Sequence, residues 1–179
     1  MGFSSEQQLI RELQRGSQRA FAAVYQQFSA GVFAYSLKIL ADRQLAEDVV
    51  QEAFLKVQQH ASSIQHNDSF RSWIFRIARN EALMQLRKRR LDGELNDASV
   101  WNEETPHEQL VKLERAEIVS QLLDSLKREY REVLVLLVYE QMSYGEIAAI
   151  TGATESSVKS RIFRARKEMM EKLKQYVRE

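Results

Sequence analysis

Cysteine is absent from this 179-residue chain, and proline occurs only once. Without cysteine the chain has no disulfide framework, no thiolate metal site and no cysteine nucleophile. Glycine is also scarce, and apolar residues recur every three or four positions instead of alternating, which favours helices over strands. The longest apolar run, residues 133–139, is far shorter than the ~20 residues that cross a bilayer. Because the first residues also lack the pattern of a signal peptide, we expect a cytoplasmic protein.

Groups that could carry catalysis are equally sparse. The chain has three histidines, and none is spaced to bind a metal ion together with a second ligand residue. It also has no glycine-rich phosphate loop. We therefore expect no enzymatic activity, no catalytic residue, no metal, no cofactor and no small-molecule substrate. A metal-dependent nuclease built on Glu47, Asp48 and Glu52 is an alternative, although an acidic helix face of this kind more often meets solvent or a partner protein.

Charge is unevenly distributed along the chain, although the net charge is only +1. Arginine and lysine crowd residues 71–90 and again residues 159–167. Between these blocks, residues 92–108 contain acids and no lysine or arginine. Two basic blocks on either side of an acidic, non-periodic stretch indicate two DNA-facing modules on a linker.

Helix caps divide the chain into an all-α protein of two small helical domains joined by a flexible acidic linker. Capping residues begin four helices in the first half, at Ser4 or Ser5, at Ser17, at Asp42, and at Asp68 or Ser69. A loop is expected over residues 60–67. Thr105 as a cap and Pro106 at the first helical position predict that a helix begins there. We place the domains at residues 1–90 and 106–179, with the linker at residues 91–105.

A helix-turn-helix is predicted near the end of the chain. Ser143 and Glu146 form a capping box that starts a short helix. Gly152 permits the turn because glycine tolerates a positive φ, and Thr154 can cap the second helix. An ordinary helical hairpin with a solvated basic face is the plainer interpretation of the same residues.

The second helix of this motif has two faces. An apolar stripe is formed by Val158, Ile162, Ala165, Met169 and Leu173. The residues off the stripe mix cations, a hydroxyl and an aromatic ring, which suits the major groove of DNA. They are Lys159, Ser160, Arg161, Phe163 and Arg164.

Several further segments resemble known motifs. Residues 46–54 (AEDVVQEAF), 70–80 (FRSWIFRIARN) and 86–90 (LRKRR) are similar to region 2 of bacterial RNA polymerase sigma factors. The helix-turn-helix, residues 143–166, resembles region 4 of the same family. Because only these two regions are present, the chain resembles the extracytoplasmic-function (ECF) group.

The resemblance implies that the protein binds core RNA polymerase and directs transcription initiation at promoters, including DNA opening at the minus-ten element. Region 2 would bind the β′ coiled coil through Asp48, Gln51 and Glu52, and region 4 would meet the β flap. An anti-sigma factor is a further expected partner.

The resemblance also implies two sets of promoter contacts. Minus-ten contacts would come from the loop before the helix that contains Trp73, where a flipped base is captured, and from the outer face of that helix: Ile64, His66, Asn67, Arg76 and Asn80. Minus-thirty-five contacts would come from the last helix: Ser157, Lys159, Ser160, Arg161, Phe163, Arg164 and Arg166. Trp73 is expected in the core. A stand-alone helix-turn-helix regulator that dimerises on a palindrome is the alternative function.

Overall fold

The computed structural model describes residues 5–64, 69–91 and 118–176, and the regular structure in these ranges is helical, with no strand. The predicted acidic linker beyond residue 91 and the helix restart at Thr105 and Pro106 lie outside the described residues. The helices, in chain order, are α1 (Glu6–Gln14), α2 (Gln18–Leu40), α3 (Arg43–Gln59), a 3-10 turn (Ala61–Ser63), α4 (Phe70–Leu91), α5 (residues 118–124), α6 (Arg128–Leu134), a π-helical turn (Val135–Tyr139), α7 (Tyr144–Thr151) and α8 (Glu155–Tyr176).

The predicted caps start the first three helices. The side chains of Ser5, Ser17 and Asp42 each accept a hydrogen bond from the backbone N–H three residues on, at 3.2, 3.3 and 3.0 Å. Such bonds satisfy N–H groups that have no partner within the helix. Ser69 caps α4 in the same way, because its Oγ accepts from the backbone N–H of Ser72 at 3.4 Å.

Helices α1 to α4 pack into an N-terminal bundle in which α2 lies against α3 and α4. Aromatic rings fill its centre. Phe28 meets Phe70 edge-on, and Phe70 stacks on Trp73 with ring centroids 6.1 Å apart. Trp73 is buried, so its prediction as a core residue is confirmed.

A second bundle combines α5, α6, α7 and α8. Its apolar centre includes side chains with almost no solvent exposure, among them Val133, Leu136, Ile147, Ile150 and Val158. The predicted stripe on α8 is buried through Ala165, but Leu173 is 43% exposed, so the prediction fails there. The 22 residues of α8 span about 33 Å, whereas α6 and α7, of seven and eight residues, span only about 10 to 12 Å each. The far end of α8 therefore extends past both.

The two bundles pack directly on each other, which the sequence alone did not predict. Helix α7 lies against α4, and α6 lies against α2. Lys38 on α2 donates to the Oγ of Ser120 at 2.6 Å, and Arg131 on α6 donates to the backbone oxygen of Lys38 at 3.3 Å. Within the described ranges, no helix combines the length and the apolar character that membrane crossing requires.

Candidate nucleic-acid interface

The predicted helix-turn-helix is present, and its local chemistry matches the prediction. Ser143 Oγ accepts from the backbone N–H of Glu146 at 3.3 Å, and the Glu146 carboxylate accepts from the backbone N–H of Ser143 at 2.9 Å. Gly152 ends α7 in the left-handed region at φ 66°. Thr154 Oγ1 accepts from the backbone N–H of Ser157 at 3.2 Å and so caps α8. The capping box fixes where α7 begins, and Gly152 and Thr154 form the turn between α7 and α8.

Helix α8 buries one face and exposes the other. Val158, Ile162 and Ala165 are buried between α6 and α7, whereas the neighbouring Phe163 is 70% exposed. The side chains predicted to face DNA follow the exposed side. Lys159, Ser160, Phe163, Arg164 and Arg166 are exposed, and Ser157 and Arg161 are half-buried at its edges.

The exposed face is chemically suited to a DNA groove. Its cations can pair with phosphates or donate to guanine, and the Phe163 ring can contact a thymine methyl group. The Ser160 hydroxyl donates to the backbone oxygen of Ser156 at 3.0 Å. This hydroxyl is therefore turned back toward its own helix.

A second surface is formed on α3 by the residues predicted to bind polymerase. Gln51 and Glu52 are exposed and Asp48 is half-buried, one turn earlier on the same helix. Leu55 continues this row and is half-exposed. Sequence reasoning missed Leu55, although its position seven residues after Asp48 was a usable signal, because that spacing returns to the same helix face. The surface thus combines acids with an apolar side chain.

The nuclease alternative gains no geometric support from this helix. The Glu47 carboxylate accepts from Arg43 Nε at 3.0 Å. Among the described residues, no group of three histidine, cysteine, aspartate or glutamate side chains is placed to hold a metal ion.

The residues predicted to contact the minus-ten element have different surroundings. Arg76 and Asn80 are exposed, one turn apart on α4. His66 and Asn67 lie outside the described residues. Ile64 is only 6% exposed and packs into the core, and its backbone oxygen accepts from Gln14 Nε2 at 3.3 Å. In this arrangement the Ile64 side chain is not presented to a flipped base.

Not all arginines of α4 point outward. Arg79 and Arg71 turn toward the second bundle and pair there with glutamates. A buried carboxylate from another part of the chain pairs with each guanidinium, because an unpaired charge at such a site would be costly. The outward cation among the predicted contacts of α4 is Arg76.

Glu132 on α6 is the centre of the first of these contacts. Its Oε1 accepts from Tyr35 Oη at 2.8 Å and from Arg79 Nε at 2.7 Å. The carboxylate is 3% exposed and Tyr35 is fully buried. Burial, and then the Glu132 charge, raise the pKa of Tyr35 well above its ordinary value. Burial by itself would lower the pKa of Arg79, but the hydrogen bond and the charge of Glu132 raise it overall.

Glu140, just after the π-helical turn, makes the second contact. Its Oε2 accepts from Arg71 Nη2 at 2.8 Å, and Arg71 also lies over the Phe75 ring at 5.8 Å. The carboxylate sits against Gly31 of α2, where a Cβ would come within 2.9 Å of Oε2. Glycine at this position therefore leaves the space that the carboxylate occupies.

The third contact between the bundles lies beside a cleft of about 200 Å³ that α4 and α7 line together. Trp73 and Arg76 line one side, and Glu146 and Ala149 line the other. Ser69 Oγ donates to Glu146 Oε1 at 3.1 Å across this cleft. Partial burial by itself would raise the pKa of Glu146, but hydrogen bonds from Ser143 and Ser69 lower it overall. The capping-box glutamate therefore serves the helix-turn-helix and the contact between the bundles at once.

Two family models match the chain. The model for sigma-70 region 2 matches residues 24–91, and the model for sigma-70 region 4 matches residues 116–169. The "RNA polymerase sigma-H factor" of Pseudomonas aeruginosa is 30% identical, with 97% of this chain and 96% of that protein covered. The "ECF RNA polymerase sigma factor SigW" of Bacillus subtilis is 29% identical, with 92% and 95% covered.

The fold has a solved counterpart. The sigma factor RpoE of Bartonella quintana, solved in complex with the anti-sigma factor NepR, superposes with a TM-score of 0.70 at 26% identity. The match covers 86% of this chain and 96% of that one. The similarity therefore extends over both bundles.

Proposed function

The chain belongs to the sigma-70 family of RNA polymerase sigma factors, in the ECF group, and we propose which of its surfaces performs each part of that function. The protein binds core RNA polymerase and directs promoter-specific transcription initiation, including DNA opening at the minus-ten element. Polymerase and promoter DNA are accordingly its partners.

The exposed face of α8 reads the minus-thirty-five element. The observation that carries this assignment is the contrast between Ile162, which is buried, and its neighbour Phe163, which stands in solvent. An exposed aromatic ring among cations offers apolar surface to a thymine methyl group beside charges that pair with phosphates. Arg164 is assigned to base contact, and Arg166 to the phosphate backbone.

Region 2 performs the other two tasks. The α3 surface of Asp48, Gln51 and Glu52 binds the β′ coiled coil, because an acidic face favours a basic partner and speeds association with it. Arg76 and Asn80 on α4 contact the minus-ten duplex, and the loop that includes His66 and Asn67 captures the flipped base. Region 4 also binds the β flap.

The proposed boundaries are residues 1–90 for region 2, 91–105 for the linker and 106–179 for region 4. They are supported by the family models, of which one ends at residue 91 and the other begins at residue 116. We assign the chain no catalytic step of its own and a cytoplasmic site of action, where the polymerase works. A DNA-cleavage assay with magnesium tests the first assignment.

An anti-sigma factor restrains the protein until it is needed. Support comes from the RpoE structure, which contains NepR and matches this chain over both bundles. Purification of the tagged protein from its own uninduced host, followed by mass spectrometry, tests this partner. Recovery of polymerase subunits alone would contradict it.

Transcription reconstituted from core polymerase, this chain and a randomised promoter library tests the function. Wild type should select defined sequences in both promoter elements. Phe163→Ala should lose selection in the upstream element, and the matched control Lys174→Ala, on the same helix in its last turn, should retain it. The function is wrong if wild type gives no start-site selection above core polymerase alone. The α8 assignment is wrong if the two variants behave alike.

A further inference from the structure

Helix α1 and the 3-10 turn form an exposed surface beside the start of the loop that captures the flipped base. We propose that this surface binds the phosphate backbone of the single strand next to that base, with Arg11 as the cation that pairs with a phosphate. The inference rests on the proposed function in one respect, which is the capture of the base between Ile64 and Ser69. It adds a contact from α1 to the minus-ten interface.

Helix α1 is attached to the beginning of that loop. Gln14 Nε2 donates to the backbone oxygen of Ile64 at 3.3 Å, across 50 residues of sequence. Leu13 and Ile64 are both buried in the apolar core, and α1 packs on the 3-10 turn as well as on α2. Because burial and a hydrogen bond act at the same point, the exposed side chains next to Gln14 keep a fixed position relative to the start of the loop.

Arg11 is the available cation on this side of α1. It is exposed and lies three residues before Gln14, about 60° around the helix axis and about 4.5 Å along it. In the part of the chain that the structure describes, the Arg11 guanidinium forms no ion pair. Arg15, in contrast, donates to the Glu12 carboxylate at 2.7 Å. A guanidinium presents a planar fork of donors that fits two oxygens of one phosphate.

The 3-10 turn adds further donors to this surface. His60 and Ser62 are exposed, and a histidine ring carries at least one N–H donor. The Ser63 hydroxyl donates to the backbone oxygen of His60 at 2.7 Å. The Ser62 hydroxyl has no such bond within the described ranges, so it can donate to a phosphate oxygen. The turn therefore supplements the charge of Arg11 with hydrogen bonds.

The acidic side chain of α1 points away from this surface. Glu12 lies about 160° from Gln14 around the helix axis, where it pairs with Arg15. The side chains within about 60° of Gln14 carry no negative charge: Gln7, Ile10 and Arg11. The α3 surface proposed to bind polymerase is acidic, so the two surfaces of region 2 have opposite character. Charge therefore favours a polyanion at α1 and a basic protein at α3.

The position of the α1 surface favours single-stranded over double-stranded DNA. A base reaches a protein site only after it leaves the stack, so the backbone beside it is no longer part of a regular duplex. The proposed duplex contacts, Arg76 and Asn80, lie on a different helix. Proteins that hold single strands combine cations along the backbone with contacts to individual bases. Arg11 would supply the first and the neighbouring loop the second.

Binding of the holoenzyme to a single-stranded minus-ten oligonucleotide tests the role of Arg11. The oligonucleotide carries the sequence that wild type selects from the promoter library. Arg11→Gln should weaken binding at 0.1 M salt about fivefold and lower the slope of log affinity against log salt by about 0.7, the contribution of one single-strand phosphate. The matched control Arg15→Gln removes a cation that Glu12 already neutralises, so it should bind nearly as tightly as wild type. Arg11→Lys keeps the charge and should retain most of the affinity.

An uncharged phosphate analogue identifies the contact itself. A methylphosphonate is placed at each position of the oligonucleotide in turn. Next to the captured base, this replacement should weaken wild type about fivefold and leave Arg11→Gln unchanged, because the two partners of one contact are not additive. If the replacement weakens both proteins equally at every position, Arg11 does not bind the backbone and the proposal is overturned.

Other outcomes separate this inference from the proposed function. Equal oligonucleotide affinities for wild type and Arg11→Gln would overturn the inference. So would weaker capture of core polymerase by Arg11→Gln with unchanged oligonucleotide binding, since α1 would then contact polymerase. If wild-type holoenzyme binds the oligonucleotide no better than core polymerase alone, the proposed function fails instead. The unfolding midpoint of Arg11→Gln should match wild type, because the side chain is exposed.

Discussion

Ile162→Ala and Phe163→Ala change neighbouring residues on α8, and we expect the first to lower stability and the second to weaken DNA binding. Ile162 is 2% exposed and Phe163 is 70% exposed. Ile162→Ala removes three buried carbons, which at about 0.8 kcal/mol each amounts to about 2.4 kcal/mol of transfer free energy. The cavity left behind brings the expected loss of stability to about 2–5 kcal/mol. Phe163→Ala leaves no cavity, so its free energy of unfolding should stay within about 0.5 kcal/mol of wild type.

The same pair should separate in the reverse sense when DNA binding is measured. Phe163→Ala should weaken binding to a minus-thirty-five duplex by about 1.5–3 kcal/mol, the free energy of burying an exposed phenylalanine side chain. Ile162→Ala, at a temperature where it remains folded, should bind nearly as wild type does. The difference arises because one side chain faces α6 and α7, and the other faces solvent.

Urea denaturation followed by circular dichroism supplies the stability values, provided that the slope against denaturant stays constant among the variants. Fluorescence anisotropy with a labelled duplex supplies the affinities. The two-face description of α8 is refuted if Phe163→Ala destabilises the chain as much as Ile162→Ala. It is also refuted if Phe163→Ala binds DNA with wild-type affinity.

Three further predictions concern other surfaces. Reversing half-buried Asp48 and exposed Glu52 to lysine should weaken holoenzyme assembly and leave the unfolding midpoint nearly unchanged. Charges that solvent reaches steer association but contribute little to stability. Unchanged capture of polymerase in a pull-down would contradict this prediction. Arg164→Ala should alter which upstream base is preferred, whereas Arg166→Ala should weaken all sequences alike and reduce the salt dependence; a library selection with equal preferences for wild type and Arg164→Ala would refute the assignment. Gly152→Ala should cost about 1–2 kcal/mol because of the positive φ at this turn, and an unfolding free energy equal to wild type would show that the turn relaxes.

Local chemistry made the helix boundaries and the helix-turn-helix predictable. Ser143, Gly152 and Thr154 act on backbone groups three or four residues away, so their effect can be recognised without knowledge of the fold. The two faces of α8 followed from periodicity for the same reason. The predicted apolar stripe was wrong only at Leu173. Burial there depends on how far α8 extends past its neighbours, and the sequence pattern of α8 alone does not predict where those neighbours end.

Contacts between the bundles could not be derived in this way. Arg79 and Glu132 are 53 residues apart, and nothing in the pattern around Arg79 distinguishes it from Arg76, which points outward. Ile64 is a similar case, because an apolar residue in a predicted loop can serve either a ligand or the core. In both cases the outcome depends on which distant element lies opposite, and that is a property of tertiary packing.

The π-helical turn at Val135–Tyr139 sets the relative direction of the Glu132 and Glu140 side chains around the helix axis. Glu132 and Glu140 are eight residues apart, and in an unbroken α-helix their side chains would point about 80° away from each other. The turn, in which Glu140 N–H donates to Val135 oxygen five residues back at 3.2 Å, takes up one surplus residue and reduces the offset to about 20°. A chain one residue shorter here would align both carboxylates with ordinary helix, but a chain one residue longer would not. The segment therefore tolerates the loss of one residue better than the gain of one.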